Sequence, residues 1–162
     1  MTTGEQTRAD AGFIAQAAIF GGLPEHALGR ILGVARIAWV EAGATVFEEG
    51  QPARSMFVVR EGELEIYKSR ADGSQFRLAL LHQGDCVGEM SLVEIQPRSA
   101  SARALCPTAL YVLDHAEIAR LYQSDLEVYT LLVLNVAREI SRRLRLADQR
   151  LLATGLPGSG LS

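Results

Sequence analysis

Seven short segments between Ile37 and Leu113 alternate apolar and polar residues with a period of two. This period places successive side chains on opposite faces of an extended backbone, so each segment predicts a β-strand. Short strands at such even spacing are typical of a small barrel or sandwich. The predicted strands are 37–41, 45–48, 55–60, 63–68, 75–82, 100–105 and 109–113.

The breaks between these segments carry residues that favour turns. Asp72-Gly73 is a strong hairpin signal, because both residue types tolerate the backbone conformation of a tight two-residue loop. Gly50, Gly62 and Gly84 stand at other breaks, where we expect them to turn corners and to contact no ligand.

Helical periodicity flanks the strand region on both sides. A short amphipathic helix is predicted over 13–20, and a second helix begins at Pro24. After the strands, Asp114 and Glu117 have the spacing of a capping box, which predicts another helix start. A long final helix is predicted over 125–152.

These elements predict a single domain. At 162 residues the chain is long enough to bury a sizeable core. The strand region covers about 37–113 and the C-terminal helices about 115–152, within a domain that spans 13–152. We expect the N-terminus at 1–12 and the Gly-, Pro- and Ser-containing tail at 153–162 to be flexible.

The final helix carries an apolar stripe whose members are alternately four and three residues apart. This spacing is that of a coiled-coil seam. We favour self-association over packing on the barrel, because Leu131 and Leu134 offer the barrel a second apolar face. A homodimer through this helix is therefore expected. The stripe, called the seam below, consists of Val133, Ala137, Ile140, Leu144, Ala147 and Leu151.

The stretch from Val87 to Ala102 has the features of an anion pocket. Gly88 precedes 89–94, a segment long enough for one to two helical turns, and the first amides of a helix bind anions. A proline then ends any helix, so Glu89 and Arg98 are expected to face a common space. A guanidinium pairs with phosphate oxygens, whereas a carboxylate accepts hydrogen bonds from hydroxyl groups. The stretch therefore predicts a pocket for a phosphorylated ribose.

This stretch resembles the phosphate-binding cassette of the cyclic-nucleotide-binding domain family, in its catabolite-activator-like branch. The matching residues are Gly88, Glu89, Met90, Ser91 and Leu92, followed by Pro97, Arg98, Ser99 and Ala100. Val87 stands where the family usually has an aromatic residue. The likeness covers about Phe13 to Leu151 and implies an α+β fold. That fold is a β-roll, a double-stranded jelly-roll-like barrel, flanked by N-terminal helices and a long C-terminal helix.

The resemblance also implies a stand-alone receptor that binds cyclic AMP or cyclic GMP and signals through its C-terminal helix. In the family the glutamate holds the ribose 2′-hydroxyl, the arginine pairs with the cyclic phosphate, and backbone amides complete the site. Ser99 is compatible with both nucleotides and slightly favours cyclic AMP. Contacts to the base are expected from the final helix, through Arg142, Arg143 or Asp148. The other expected ligand-binding residues are Val87, Gly88, Glu89, Met90, Ser91, Arg98, Ser99 and Ala100.

Charge and cysteine content exclude several partners. A net charge of −3 argues against broad binding to nucleic acid or to membrane surfaces. The final helix is rich in arginine, but the short tail after it cannot form a recognition helix, so we expect no DNA-binding domain in this chain. No apolar run reaches the roughly eighteen residues of a membrane span.

Cys86 and Cys106 form no disulfide framework, so we expect a cytoplasmic protein and an inert Cys86 thiol.

Other readings of the same residues stay open. Glu89 and Arg98 could form a surface ion pair, or the β-roll could be an interaction module that docks its final helix on a partner and leaves the pocket empty. A small barrel could also be a metal-dependent enzyme, but His26, His82 and His115 lack the spacing of metal ligands. We therefore expect a binding protein that is not an enzyme and needs no metal or cofactor. A downstream protein partner could receive its signal.

Overall fold

Eight strands and three α-helices of ten or more residues make up the part of the chain that the structure describes, residues 12–92 and 96–153 of a computed structural model. The strands are β1 (Arg36–Val40), β2 (Thr45–Phe47), β3 (Ser55–Glu61), β4 (Leu64–Ser69), β5 (Gln75–Leu81), β6 (Cys86–Val87), β7 (Ser101–Ala104) and β8 (Thr108–Asp114). The α-helices are α1 (Glu25–Val34), α2 (His115–Ser124) and α3 (Leu126–Ala153). Two 3₁₀ helices cover Ala18–Phe20 and Glu89–Leu92.

The strands form two antiparallel sheets of four strands each, in the orders β1-β8-β3-β6 and β2-β7-β4-β5. The first sheet is covered on both faces, by the second sheet on one side and by the helices on the other. Its central strand β8 is accordingly buried along almost its whole length. A strand that is covered on both faces carries mainly apolar side chains on both, so its sequence alternates little between apolar and polar residues.

Successive residues of β3 contribute to two separate cores. Phe57 and Val59 point between the sheets, where they pack with residues such as Leu64 and Leu110. Met56 and Val58 point to the other face and pack against the helices. The period of two that predicted the strand therefore divides its side chains between the roll interior and the helix interface.

The predicted fold class is confirmed. The structure is an α+β β-roll with helical segments before it and a long helix after it. Each predicted strand is present, with ends that differ by at most one residue. The two-residue strand β6 was not predicted, because two residues are too few to show a period.

The predicted helix starts need three corrections. The helix expected over 13–20 is broken: residues 12–14 are helical, a turn follows, and Ala18–Phe20 is a 3₁₀ helix. Pro24 occupies the N-cap of α1 and does not begin it. The helix start predicted at Asp114 is confirmed, since Asp114 is the N-cap of α2, but its side chain makes no capping hydrogen bond, so the capping box itself is wrong. The Asp114 carboxylate instead lies 3.9 Å from Arg36 Nε on β1.

The face of α3 that packs on the core differs from the predicted one. Leu131 packs partly against the core, but Leu134 is 46% exposed. The sequence pattern missed the true face because two of its members are polar. The buried residues of α3 are Val128, Leu132, Asn135, Val136 and Glu139.

Asn135 ties α3 to the N-terminal segment. Its amide nitrogen Nδ2 donates to the carbonyl oxygens of Ile19, at 3.2 Å, and Gly21, at 2.8 Å. Its oxygen Oδ1 accepts from Arg138 Nη1 at 3.1 Å. The three bonds satisfy a buried amide, and the two to Ile19 and Gly21 help to position the helix that runs past the cavity described below.

The ends of the chain fall outside this description. The predicted flexible termini at 1–12 and 153–162 lie beyond the described residues except for their innermost positions. No helix among the described residues is both long and apolar enough to cross a bilayer.

Candidate ligand-binding site

A cavity of about 830 Å³ lies between the β4–β5 hairpin, the segment around Glu89 and Arg98, and the C-terminal half of α3. Its walls are mainly apolar, with a few charged groups. The sheet side includes Phe47 of β2 and, from the hairpin, Ile66, Phe76, Arg77, Leu78, Ala79 and Leu81. The helix side includes Arg143, Leu146, Ala147, Arg150 and Leu151.

Gly88 lets the backbone come close to the Arg98 guanidinium. Its φ of 83° is a conformation that favours glycine. A Cβ atom at this position would collide with Arg98 Nη1 and lie 3.0 Å from the carbonyl oxygen of Ser55. Gly88 is therefore required both by its backbone angle and by the space that Arg98 occupies.

Arg98 is buried, with only 8% of its surface exposed. Its Nη2 donates to the Ser55 carbonyl oxygen at 2.6 Å. The guanidinium lies over two aromatic rings, 4.3 Å from the centroid of Phe47 and 5.4 Å from that of Phe57. Nε and Nη1 are buried and have no hydrogen-bond partner among the described residues. Burial lowers the pKa of Arg98, but a guanidinium starts so high that it stays charged.

The backbone on either side of this arginine is also held. The Arg98 amide donates to the Gln51 carbonyl at 2.8 Å, and the Arg98 carbonyl accepts from the Gly50 amide at 2.9 Å. The loop between β2 and β3 thus fixes the chain at Arg98, and the aromatic rings fix its side chain. This arrangement holds the guanidinium, with its two unbonded donors, in one position beside the cavity.

Glu89 is even more deeply buried, at 2% exposure. One oxygen, Oε1, accepts from Arg143 Nη1 at 2.9 Å. The other, Oε2, is buried and has no hydrogen-bond partner within residues 12–92 and 96–153. Burial raises the pKa of the Glu89 carboxyl, and the charge of Arg143 opposes this shift. One oxygen of the Glu89 carboxylate therefore bonds to Arg143 of α3, and the other is an acceptor without a partner among the described residues.

Arg143 carries the link from Glu89 to α3. Its Nε donates to Glu139 Oε1 at 2.8 Å, and its Nη2 donates to the Cys86 carbonyl oxygen at 2.6 Å. Glu139 also accepts two bonds from Arg142, at 2.7 and 2.8 Å, and these bonds lower the pKa of the Glu139 carboxyl. Arg143 is thus clamped between its own helix and the roll.

Cys86 lies beside this network but is not a reactive group. Its side chain is 3% exposed, and burial raises the pKa of the thiol to about 12. A thiol with so high a pKa holds almost no thiolate at neutral pH and is a poor nucleophile.

The charges in the cavity suit a ligand that carries both an anion and a hydroxyl group. Arg98 offers two buried donors, and Glu89 offers one buried acceptor. An unbonded buried charge is costly, whereas charge-assisted hydrogen bonds to a ligand are strong. No cluster of three or more His, Cys, Asp or Glu side chains in the described part of the chain is placed to hold a metal ion.

Most of the residues predicted from the sequence line this cavity. All eight from the segment around Glu89 and Arg98 do so, namely Val87, Gly88, Glu89, Met90, Ser91, Arg98, Ser99 and Ala100. Of the three predicted base contacts, the structure brings Arg143 into the wall. Arg142 bonds to Glu139 instead, and neither Arg142 nor Asp148 is part of the cavity lining.

Several lining residues were missed by the sequence analysis. The β4–β5 hairpin supplies Ile66, Phe76 and Leu78, whose alternating pattern indicated only a strand. Ala147 and Leu151 also line the cavity, although their spacing had placed them in the seam. No spacing rule in the sequence distinguishes a cavity wall from a dimer surface on the same helix.

Comparison with known proteins places the chain in a family. A model of the cyclic nucleotide-binding domain matches residues 37–125, more than half of the chain. The cyclic AMP receptor protein of Thermus thermophilus is 33% identical over 109 residues, which cover 67% of this chain and 49% of that protein. A CRP-like cAMP-activated global transcriptional regulator of Mycobacterium tuberculosis is 27% identical over 90% of this chain and 64% of its own length. The chain therefore spans about half to two thirds of the length of these relatives.

Solved structures agree with this assignment. The catabolite activator protein of Thermus thermophilus superposes with a TM-score of 0.74 and 29% identity, over 85% of this chain and 63% of that one. A cyclic nucleotide-binding domain from Methylobacillus flagellatus shares the fold with a TM-score of 0.84 and 19% identity, over 96% of this chain and 88% of that one. The protein thus belongs to the cyclic nucleotide-binding domain family and is related to the CRP and catabolite activator regulators.

Replacing Gly88 with alanine should damage the site beyond the strain of its backbone angle. Alanine in a left-handed conformation costs about 1–2 kcal/mol. Gly84→Ala is the matched control, since Gly84 has a φ of 88° and open space around its Cβ position. We expect Gly84→Ala to lower the free energy of unfolding by that strain alone, and Gly88→Ala to lower it further because of Arg98 and Ser55. Equal losses in chemical denaturation would show that Arg98 does not crowd Gly88.

Proposed function

We propose that this chain is a receptor for a cyclic mononucleotide, cyclic AMP or cyclic GMP. The observation that carries the proposal is the pair of unbonded buried groups in one cavity, Glu89 Oε2 and the Nε and Nη1 donors of Arg98. A stable fold rarely buries such groups without a partner, and both residues line the same cavity, which favours a ligand that satisfies both. The family assignment supplies the class of ligand.

The proposed binding mode follows from the positions of these atoms. The cyclic phosphate pairs with Arg98, whose guanidinium is already held by Ser55 and two aromatic rings. A ribose hydroxyl donates to Glu89 Oε2, while Oε1 keeps its bond to Arg143. The base then lies toward the apolar wall formed by the β4–β5 hairpin and the end of α3.

Signalling through α3 is part of the proposal. Arg143 connects Glu89 directly to Glu139 on this helix, so a ligand that bonds to Glu89 acts on a carboxylate already shared with α3. A ligand shifts a conformational equilibrium only when it interacts differently with the two states. We propose that the Glu89–Arg143 contact supplies this difference. Contacts from Arg142 and Asp148 to the base remain predictions.

The preference between the two nucleotides stays open. The relatives named above are described as receptors or regulators for cyclic AMP. A cGMP-dependent protein kinase of Caenorhabditis elegans is 36% identical over 46% of this chain, which is 9% of that protein. Ser99 gives the same slight preference for cyclic AMP that it gave from the sequence. The stand-alone role, the cytoplasmic location and the lack of catalysis also remain predictions.

An interaction module with an unoccupied pocket is the alternative function. Such a module would gain nothing from Glu89 and Arg98, whose burial costs several kcal/mol per charge when they are not fully paired. Apolar residues of similar volume would fill the same space at a lower cost. The retained charges therefore favour the receptor over the module.

Arg98→Ala should abolish most of the binding energy for the phosphate. A hydrogen bond to a charged group contributes about 1.5–3 kcal/mol, so the dissociation constant of cyclic AMP should rise at least roughly tenfold to a hundredfold. Arg145→Ala is the control, because Arg145 is exposed on α3 and lies outside the cavity lining. Titration calorimetry with cyclic AMP, cyclic GMP and linear AMP measures both variants. An unchanged constant for Arg98→Ala would refute its role, and binding of linear AMP as tight as that of the cyclic forms would refute the ligand class.

We further propose that α3 forms a homodimer, as the seam suggested. The structure divides the seam: Ile140 packs partly on the core and Leu151 lines the cavity, whereas Leu144 is 62% exposed. Ala137 is also exposed, seven residues before Leu144. Apolar side chains two helical turns apart on one face are suited to a second copy of the same helix.

Leu144→Glu should therefore shift the chain to the monomer. A charge at the centre of a helix pair is desolvated and repelled by its symmetry mate, which weakens the dimer. Gln149→Glu introduces the same charge at an exposed position outside the seam and should leave the assembly unchanged. Sedimentation velocity at micromolar concentration distinguishes the two. A wild-type monomer, or a Leu144→Glu dimer, would contradict the proposed interface.

A further inference from the structure

One polar contact near the phosphate end of the cavity has no part in the binding mode above. Ser91 Oγ lies 2.5 Å from the Gly88 carbonyl oxygen and 2.8 Å from Nε2 of His115. Ser91 belongs to the 3₁₀ helix that follows Gly88, and His115 is the first residue of α2. The contact joins residues 24 positions apart and connects the cavity wall to the start of the C-terminal helices.

The number of hydrogen atoms that Ser91 can donate favours a proton on Nε2 of His115. The Ser91 hydroxyl has a single hydrogen, and the short distance to the Gly88 carbonyl assigns that hydrogen there. His115 Nε2 must then be the donor to Ser91 Oγ. The imidazolium form satisfies this arrangement without a choice of tautomer. Protonation of His115 therefore strengthens its bond to Ser91 and so supports the turn at Gly88.

His115 is also fixed relative to Arg98. The carbonyl oxygens of two consecutive residues hold them: Arg54 O accepts from the His115 amide at 2.9 Å, and Ser55 O accepts from Arg98 Nη2 at 2.6 Å. The two carbonyls are neighbours in sequence, so they hold the His115 backbone and the Arg98 guanidinium beside the same segment, while Ser91 holds the imidazole. An anion paired with Arg98 would therefore lie in the field that acts on His115.

We propose that His115 is a proton-sensitive positioning residue for the phosphate end of the cavity, which acts through Ser91 and gains a proton when an anionic ligand pairs with Arg98. The inference rests on the proposed receptor function and adds a pH dependence to the same site.

The charges around His115 set the direction of the effect. Burial first, and then the charge of Arg98, lower the pKa of His115 below its ordinary value of 6.5, while Asp114 raises it. Asp114 is itself partly offset by Arg36 of β1, 3.9 Å away. On α2, Glu117 is paired with Arg120. A bound anion offsets Arg98, so the pKa of His115 rises in the complex.

The sign of the linkage follows from this rise. A complex that holds more protons than its separate parts becomes more stable as the pH falls through the pKa of the bound state, and the gain levels off below the pKa of the free state. Each unit of pKa rise contributes up to about tenfold in affinity. We expect cyclic AMP to bind about twofold to tenfold more tightly at pH 6 than at pH 8.

The test compares the pH ratio of the dissociation constants in three proteins. His115→Gln keeps an N–H donor for Ser91 but cannot titrate, so the ratio between pH 6 and pH 8 should fall toward one. His82→Gln is the matched control, since His82 is exposed at the end of β5 and faces Glu63. The ratio of the dissociation constants at pH 6 and pH 8 should be the same in His82→Gln as in the unmodified protein. Calorimetry at pH 6.5 in two buffers of different ionisation enthalpy should also show proton uptake that is lost in His115→Gln.

A second measurement uses the unmodified protein. The pKa of the His115 ring, followed by nuclear magnetic resonance, should be higher with saturating cyclic AMP than without it. An unchanged ring pKa, or a pH ratio and proton uptake that persist in His115→Gln, would overturn the inference and leave the receptor function standing. Failure of the unmodified chain to bind any cyclic nucleotide would instead overturn the proposed function, and this inference with it.

Discussion

The structure depends on the burial of two opposite charges in one cavity without a direct bond between them. Glu89 and Arg98 are each less than one tenth exposed, yet both keep polar atoms without a partner in the described chain. Removing such groups from water costs several kcal/mol each. The surrounding residues hold the guanidinium and the carboxylate in place, and both residues line the same cavity. A binding site that is already organised in this way loses little energy to rearrangement when a ligand arrives.

Each charge is held by a different part of the fold. The Arg98 guanidinium is held by residues of the roll, namely the Ser55 carbonyl and two aromatic rings. Glu89 is shared with α3, through Arg143 and then Glu139. A ligand that bonds to both charges therefore spans the boundary between the roll and the long helix. Such a position is suited to a molecule whose binding changes how the helix sits on the roll.

The sequence predicted the cavity-lining residues around Glu89 and Arg98 better than the packing of α3, for a physical reason. Glu89 follows Gly88 directly and Arg98 follows Pro97 directly, so the motif that contains both residues can be recognised from local sequence alone. The roll was predicted because alternation with a period of two is also local. The true packing face of α3 was missed because it includes two polar residues. The Asn135 amide is satisfied by the distant carbonyls of Ile19 and Gly21, whereas Glu139 is paired with Arg142 and Arg143 of its own helix. The contact between Ser91 and His115 depends on the whole fold, and no spacing rule could have found it.

The most direct test of the central claim is a thermodynamic cycle at the Glu89 carboxylate. The dissociation constants of cyclic AMP and of its 2′-deoxy analogue are measured by calorimetry for the unmodified protein and for Glu89→Ala. If Glu89 Oε2 accepts the ribose hydroxyl, loss of that hydroxyl should weaken binding to the unmodified protein by roughly tenfold or more and should have little further effect in the variant. An equal effect of the missing hydroxyl in both proteins would contradict the claim that this buried carboxylate recognises the sugar.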